Sequence, residues 1–279
     1  MTETVTSPLG LIAGQGDLPR LIIEHCHAVE RPLFVVAING QTPTALTTDV
    51  PHARLELGQA GRIIQALRDA HVREIVMAGA LRRPSLGELK PDLRGAKLLA
   101  RGLLQARGDD ALLRLVTKEL EGEGFRVIGA HEIIGDLVAP EGVWTKLAPD
   151  ETASADIARG MEVASALGAL DIGQSVVVQQ GLVLGVEAIE GTDALLARCA
   201  SLHREGPGGV LVKRAKPGQE KRADLPTVGV GTVHAAREAG LRGIAVQSGA
   251  TLAIGRAAMI ETADRAGVFL CGVGASDER

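Results

Sequence analysis

Short apolar runs alternate with amphipathic segments through the first half of the chain, and this alternation restricts the fold to a sheet with helices on its faces. Leu9–Ala13, Leu33–Ile38, Glu74–Ala78 and Phe125–Gly129 read as strands. Between them, Leu18–His27 has apolar residues at Leu18, Leu21, Ile22 and Cys26, and Ala60–Ala70 has them at Ile63, Ile64 and Leu67, the spacing of one helical face. Ala96–Gln105 and Asp110–Glu121 read as further helices. Strands that stay apolar at successive positions are buried on both faces, and intervening helices let them run parallel. The expectation is an α/β protein whose N-terminal part is a Rossmann-like, mostly parallel sheet.

The pattern changes around Pro140–Asp156, where turn residues and charges replace helical periodicity. A boundary near residue 145 gives an N-terminal domain over 1–145 and a C-terminal one over 146–279. The second half continues with a helix over Asp156–Leu167. Ser175–Gln179 and Leu182–Ile189 then alternate on either side of Gln180-Gly181, a hairpin signal. Thr192–Leu202, Val233–Ala239 and Ala257–Arg265 read as helices. Val210–Arg214, Ile244–Gln247, Thr251–Ile254 and Val268–Gly272 read as strands, so the second domain is α/β with a mixed sheet.

Hydrophobic residues at 46% and charged residues at 23% belong to a globular chain rather than a disordered one. The net charge of −4 and the lack of a basic stripe argue against a nucleic-acid partner, and only Phe34, Phe125, Phe269 and Trp144 could stack on bases. Cys26, Cys199 and Cys271 lie far apart without metal-ligand spacing, which implies buried thiols in a reducing compartment. Met1–Pro8 lacks a basic segment leading into an apolar one, and no run of eighteen apolar residues follows. A cytoplasmic protein without a membrane span is expected.

Chemistry concentrates in two segments. Glu187-Ala188-Ile189-Glu190-Gly191-Thr192-Asp193 gathers three carboxylates where an apolar run gives way to a helix, for which Thr192 is a natural N-cap. Lys213 to Asp224 then brings five basic residues, two acids and Gln219 into one loop. Carboxylates that hold a divalent cation beside cations that neutralise phosphate suit phosphate-ester chemistry.

Two further loops follow predicted strands, where an open α/β sheet receives phosphate groups. Gly14-Gln15-Gly16-Asp17-Leu18-Pro19 is a partial dinucleotide fingerprint, with Pro19 where a third glycine would stand; an Asp17 N-cap on a glycine turn explains it equally well. Arg82 and Arg83 could clamp a diphosphate. Gly108-Asp109-Asp110 reads first as a helix cap. On these residues alone, a dinucleotide-binding oxidoreductase and a non-catalytic nucleotide-sugar-binding module stay open beside a hydrolase.

The Gly14–Pro19 loop, Asp171-Ile172-Gly173-Gln174, Glu187–Asp193 and Lys216-Pro217-Gly218-Gln219 through Asp224-Leu225-Pro226 together resemble the UDP-2,3-diacylglucosamine pyrophosphatase family of the LpxI type. The resemblance runs over nearly the whole chain and departs from the pattern at Glu220, where Asp is expected. It implies two domains with the ligand between them. It also implies hydrolysis of the diphosphate of a lipid-linked UDP-sugar to lipid X and UMP, with Mg²⁺ or another divalent metal, at the inner leaflet of the inner membrane. Homo-oligomerisation is compatible with the sequence, but no residue pattern argues for an assembly.

Joined to the chemistry above, the resemblance assigns roles. Glu190, Asp193 and Asp224 would anchor the metal, and Asp224 would also position the attacking water. Lys213 and Arg222 would stabilise developing charge. Gln174, Thr192 and Gln219 would contact phosphate or sugar hydroxyls, and Gly14, Gln15, Gly16, Asp17 and Arg82 would hold the nucleotide or phosphate.

Overall fold

The computed structural model describes residues 7–82, 89–105, 109–222 and 224–274. Arg83, Gly108 and the side chains of Asp109 and Asp110 lie outside the described residues. Two compact units emerge, one comprising Met1–Ile134 with Glu220–Asp224, the other Gly135–Gln219 with Leu225–Arg279. The division falls after Ile134, where the sequence places it near residue 145, and the Glu220–Asp224 segment joins the first unit across the chain order.

The first unit contains β1 (Leu9–Ala13), α1 (Asp17–Ala28), β2 (Leu33–Ile38), β3 (His52–Leu55), α2 (Ala60–Asp69), β4 (Glu74–Ala78), α3 (Leu93–Gln105), α4 (Asp109–Gly122), β5 (Arg126–Val127) and α5 (Ala130–Ile133). Its strands form one sheet in the order β3-β2-β1-β4-β5, parallel at every pairing. This is a Rossmann-like sheet. β1 is buried at every position, as a strand covered on both faces must be. Ile63, Ile64 and Leu67 of α2 pack with Val36, Ile38 and Ile75 into the core, which explains the helical spacing of that segment.

The second unit contains β6 (Gly142–Val143), α6 (Glu151–Ala169), β7 (Ser175–Gln179), β8 (Leu182–Val186), α7 (Gly191–Cys199), β9 (Val210–Lys213), β10 (Thr227–Val228), α8 (Val230–Glu238), β11 (Gly243–Gln247), β12 (Leu252–Ala253), α9 (Arg256–Ala266) and β13 (Phe269–Val273). Six strands make a mixed sheet ordered β6-β13-β11-β9-β7-β8, and β10 pairs with β12 apart from it. β9, β11 and β13 run parallel, while β7 is antiparallel to both β8 and β9. Residues of α7, α8 and α9 form one core cluster with Val177, Leu211 and Ile244. Ala153 and Ile157 of α6 form another with Val210 and Val212.

The hairpin turn is as the sequence suggests, with positive φ at Gln180 (52°) and Gly181 (78°). Its two N–H groups donate to Asp156 on α6, at 3.1 and 2.6 Å, so a buried carboxylate caps the turn. All three thiols are buried. Burial raises Cys26 and Cys199 and pushes Cys271 up to about 11. Iodoacetamide at pH 7 is therefore expected to label the native protein at least about tenfold more slowly than the urea-unfolded chain, as mass spectrometry would read.

Candidate functional site

In the first unit, β1 and β4 end level, Ala13 beside Ala78, and the loops that leave them interlock. Gly14 N donates to Ala78 O at 2.8 Å, Gln15 N to Ala80 O at 2.8 Å, and Ala80 N returns to Gln15 O at 3.0 Å. The glycines permit this contact. A Cβ on Gly14 would lie 2.5 Å from Ala80 O, and one on Gly79, whose φ is 89°, would run into Gln15 O. Thr42 Oγ1 donates to Ala13 O at 2.5 Å and Gln41 Nε2 to Arg82 O at 3.1 Å, which ties the loop after β2 to the same edge. Gln41 Oε1 is buried there without a hydrogen-bond partner among the described residues. In the order β3-β2-β1-β4-β5, this edge between β1 and β4 is the topological switch point where open α/β sheets take their ligands.

Asp17 does not cap α1. Gly16, with φ 94°, occupies the N-cap position without a side-chain bond, and Asp17 is the first helical residue, exposed and facing Arg20 at 3.5 Å. A glycine at that position lets the chain turn from the Gln15–Ala80 bridge into the helix, a turn that an aspartate there would strain.

The second unit holds a buried polar chain where β7, β8, β9 and α7 meet. Lys213 ends β9 and is 5% exposed; Glu187 follows β8 and is 7% exposed. Lys213 Nζ donates to Thr192 Oγ1 at 2.9 Å and to Thr227 O at 3.0 Å. Thr192 Oγ1 donates to Glu187 Oε1 at 2.8 Å, and Gln174 N donates to Glu187 Oε2 at 3.1 Å. Ser175 Oγ lies 3.3 Å from Thr192 Oγ1, and Gln174 Oε1 is buried without a partner among the described residues. Thr192 is not the N-cap expected for its helix. Glu190 takes that position without a side-chain cap bond, and the Thr192 hydroxyl serves this chain instead.

The other charged residues are differently engaged. Glu190 accepts from Arg198 at 2.8 Å and from Ala188 N at 3.2 Å, and the Arg198 guanidinium holds its carboxyl below the usual carboxylate range. Asp193 is exposed in the first turn of α7. Gln219 Oε1 accepts from Lys216 N at 2.9 Å, closing a turn through Gly218. In the first unit, Arg222 grips Glu220 through Nε at 2.8 Å and Nη2 at 2.9 Å, and reaches Glu121 through Nη1 at 2.5 Å. That grip holds Glu220 below its ordinary range. Asp224 N donates to Glu220 O at 2.9 Å, so Asp224 ends the same turn. Among the described residues, no group of three or more His, Cys, Asp or Glu side chains could hold a metal ion.

Glu187 and Asp156 are the buried carboxylates that sequence reasoning missed as structural acceptors. The available signal for Glu187 was an acid closing one apolar strand and a lysine, Lys213, closing another.

A Rossmann-like parallel sheet combined with a mixed-sheet unit that buries a lysine–threonine–glutamate chain defines the protein as a two-unit α/β protein. Within that class, the LpxI N-terminal domain matches residues 8–137 and the LpxI C-terminal domain matches residues 140–271, so the chain belongs to the LpxI family. It is similar to a protein of Caulobacter vibrioides named UDP-2,3-diacylglucosamine pyrophosphatase LpxI, at 45% identity over 272 residues, covering 95% of this chain and 97% of the relative.

Proposed function

We propose that this chain hydrolyses the diphosphate of UDP-2,3-diacylglucosamine to 2,3-diacylglucosamine 1-phosphate (lipid X) and UMP in lipid A biosynthesis, with a divalent cation such as Mg²⁺. The near full-length likeness to a relative named for that pyrophosphatase activity carries the reading. In the reaction, water adds to one phosphorus of the anhydride and the bridging P–O bond breaks. Asp224 orients that water and takes its proton. Lys213 meets the negative charge that grows on the phosphate oxygens, where a preoriented ammonium in a buried setting acts more strongly than one in water.

Gln174, with its unpartnered Oε1, accepts from a sugar hydroxyl beside Thr192, and Gln219 holds the loop that carries Lys216. Gly14, Gln15, Gly16, Asp17 and Arg82 hold the nucleotide at the switch point of the first sheet. Arg222, paired with both Glu220 and Glu121, braces the turn that carries Asp224 rather than offering its charge to phosphate.

Mg²⁺ ordinarily takes one or two carboxylates and completes its octahedron with water and substrate phosphate. Glu190 and Asp193 of the second unit are oxygen donors of the kind such a cation takes, although Glu190 must release Arg198 to take part, and Asp224 of the first unit is a donor of the same kind. When bound, the cation supplies charge neutralisation at the diphosphate. The acyl chains of the substrate place the work at the inner leaflet of the inner membrane, where the protein acts peripherally; among the described residues, no helix is long and apolar enough to cross a membrane.

The test is UMP release from the lipid-linked UDP-sugar with and without EDTA. Release that EDTA abolishes and Mg²⁺ restores is expected. Ligand binding without turnover would make the protein a regulatory module, and NAD(H) binding in place of UMP release would revive the oxidoreductase reading.

A further inference from the structure

The geometry points to Glu187 as a positioning residue that acts on Lys213 through the hydroxyl of Thr192, an inference that rests on the proposed hydrolysis. The direction of each hydrogen bond follows from the groups themselves. A lysine ammonium only donates and an ionised carboxylate only accepts, while a threonine hydroxyl has one proton to give. Thr192 therefore gives its proton to Glu187 Oε1 at 2.8 Å and receives from Lys213 Nζ at 2.9 Å on a lone pair. The chain Lys213 → Thr192 → Glu187 runs one way only.

Glu187 is itself held on both oxygens. Gln174 N donates to Oε2 at 3.1 Å, while the hydroxyl takes Oε1. Its backbone is pinned as well, by Glu187 N donating to Ser175 O at 2.8 Å. Gly173 has no Cβ to collide with Glu187 O, so the turn before β7 closes directly over the backbone carbonyl of Glu187. With Thr227 O accepting another Nζ proton at 3.0 Å, the ammonium of Lys213 is held from two sides by fixed acceptors, which sets its orientation. An ammonium on a flexible stem is thereby turned into an oriented donor.

An amide at position 187 cannot do this. Both neighbours of the Glu187 carboxylate, Gln174 N–H and Thr192 O–H, are donors, and Gln would turn its NH₂ towards one of them. Thr192 cannot compensate by reversing its proton, because Lys213 does not accept.

The experiment measures kcat and KM for UMP release, with thermal unfolding as the check on folding, in wild type, E187Q, T192V, T192S and the E187Q/T192V double variant. E187Q and T192V are each expected to lower kcat about 10- to 100-fold with KM within about twofold. The double variant should lose no more than the worse single one, since both changes cut the same chain. T192S, which restores the hydroxyl, should recover most of the loss. Folded E187Q and T192V with wild-type kcat, or losses that multiply in the double variant, overturn the proposal. Should E187Q fail to fold, the T192V and T192S pair decides alone, and a T192V enzyme with wild-type kcat overturns it. Wild type that releases no UMP defeats the hydrolase reading and this proposal with it, whereas active wild type beside unaltered variants defeats the proposal only.

Discussion

Asp224→Ala is expected to fold normally and to release UMP roughly a hundredfold or more slowly than the parent chain. Stability should change little because Asp224 is a half-buried residue in a turn and its removal empties no core. The turn is braced without it. Arg222 clamps Glu220 through two parallel bonds and reaches Glu121 on α4, and these contacts anchor Glu220–Asp224 in the first unit although the chain on either side belongs to the second. A short carboxylate on a fixed turn is the geometry that a water-orienting group needs, since it is aimed before substrate arrives. Asp224→Asn separates charge from shape, because the amide keeps the volume but cannot take the proton from water. A comparable loss in both variants at unchanged melting temperature assigns the role to the carboxylate charge. Near-normal turnover in either removes Asp224 from the chemistry.

The central strands were legible because burial on both faces leaves a continuous apolar run. β1, β2, β4 and β7 begin and end where the sequence alone places them. β3 was not legible: His52–Leu55 carries an exposed histidine and three half-buried residues, and an edge strand of that kind has neither alternation nor an apolar run. β6 and β10 are two residues each, too short for any period.

The candidate site was legible as composition but less so as pairing. The acidic turn does contain a residue that reaches Lys213 through Thr192, yet it is Glu187 and not Glu190. Which acid turns inward depends on β8 ending at Val186 and on Gly173 closing over the next residue, and neither can be counted off a sequence. Glu190 read as a metal ligand because carboxylates are dense there; that Arg198 folds back onto it is a tertiary fact. Arg222 read as a free cation for phosphate, although its bidentate partner Glu220 is only two residues away. Gly14 and Gly16 read as part of a ligand loop; what packs on Gly14 here is the backbone of the loop after β4, while nothing lies within 4 Å of a Cβ on Gly16.

That loop contact makes Gly79→Ala the largest stability loss expected of any single added methyl at the glycine loops, about 2–4 kcal/mol, or a fall in melting temperature of roughly 5–15 °C. Two costs combine. The φ of 89° is one that residues with a Cβ rarely adopt, and the new carbon would meet Gln15 O and lie 2.8 Å from Cγ of Pro19. Neither neighbour can give way cheaply. Gln15 is bonded to Ala80 in both directions, and Pro19 is buried in the first turn of α1. The same Pro19 ring stands where a dinucleotide fingerprint would have its third glycine, packed here on a glycine from the neighbouring loop. Gly16→Ala is the internal control, since its φ of 94° is equally unfavourable but nothing lies within 4 Å of the added carbon. It should cost about 1–2 kcal/mol, from backbone conformation alone. Calorimetry on the two variants thus isolates the loop-on-loop contact as the difference between them. If Gly79→Ala melts no lower than Gly16→Ala, the loops have room to part, and the glycines would then be kept for the approach of a ligand rather than of each other.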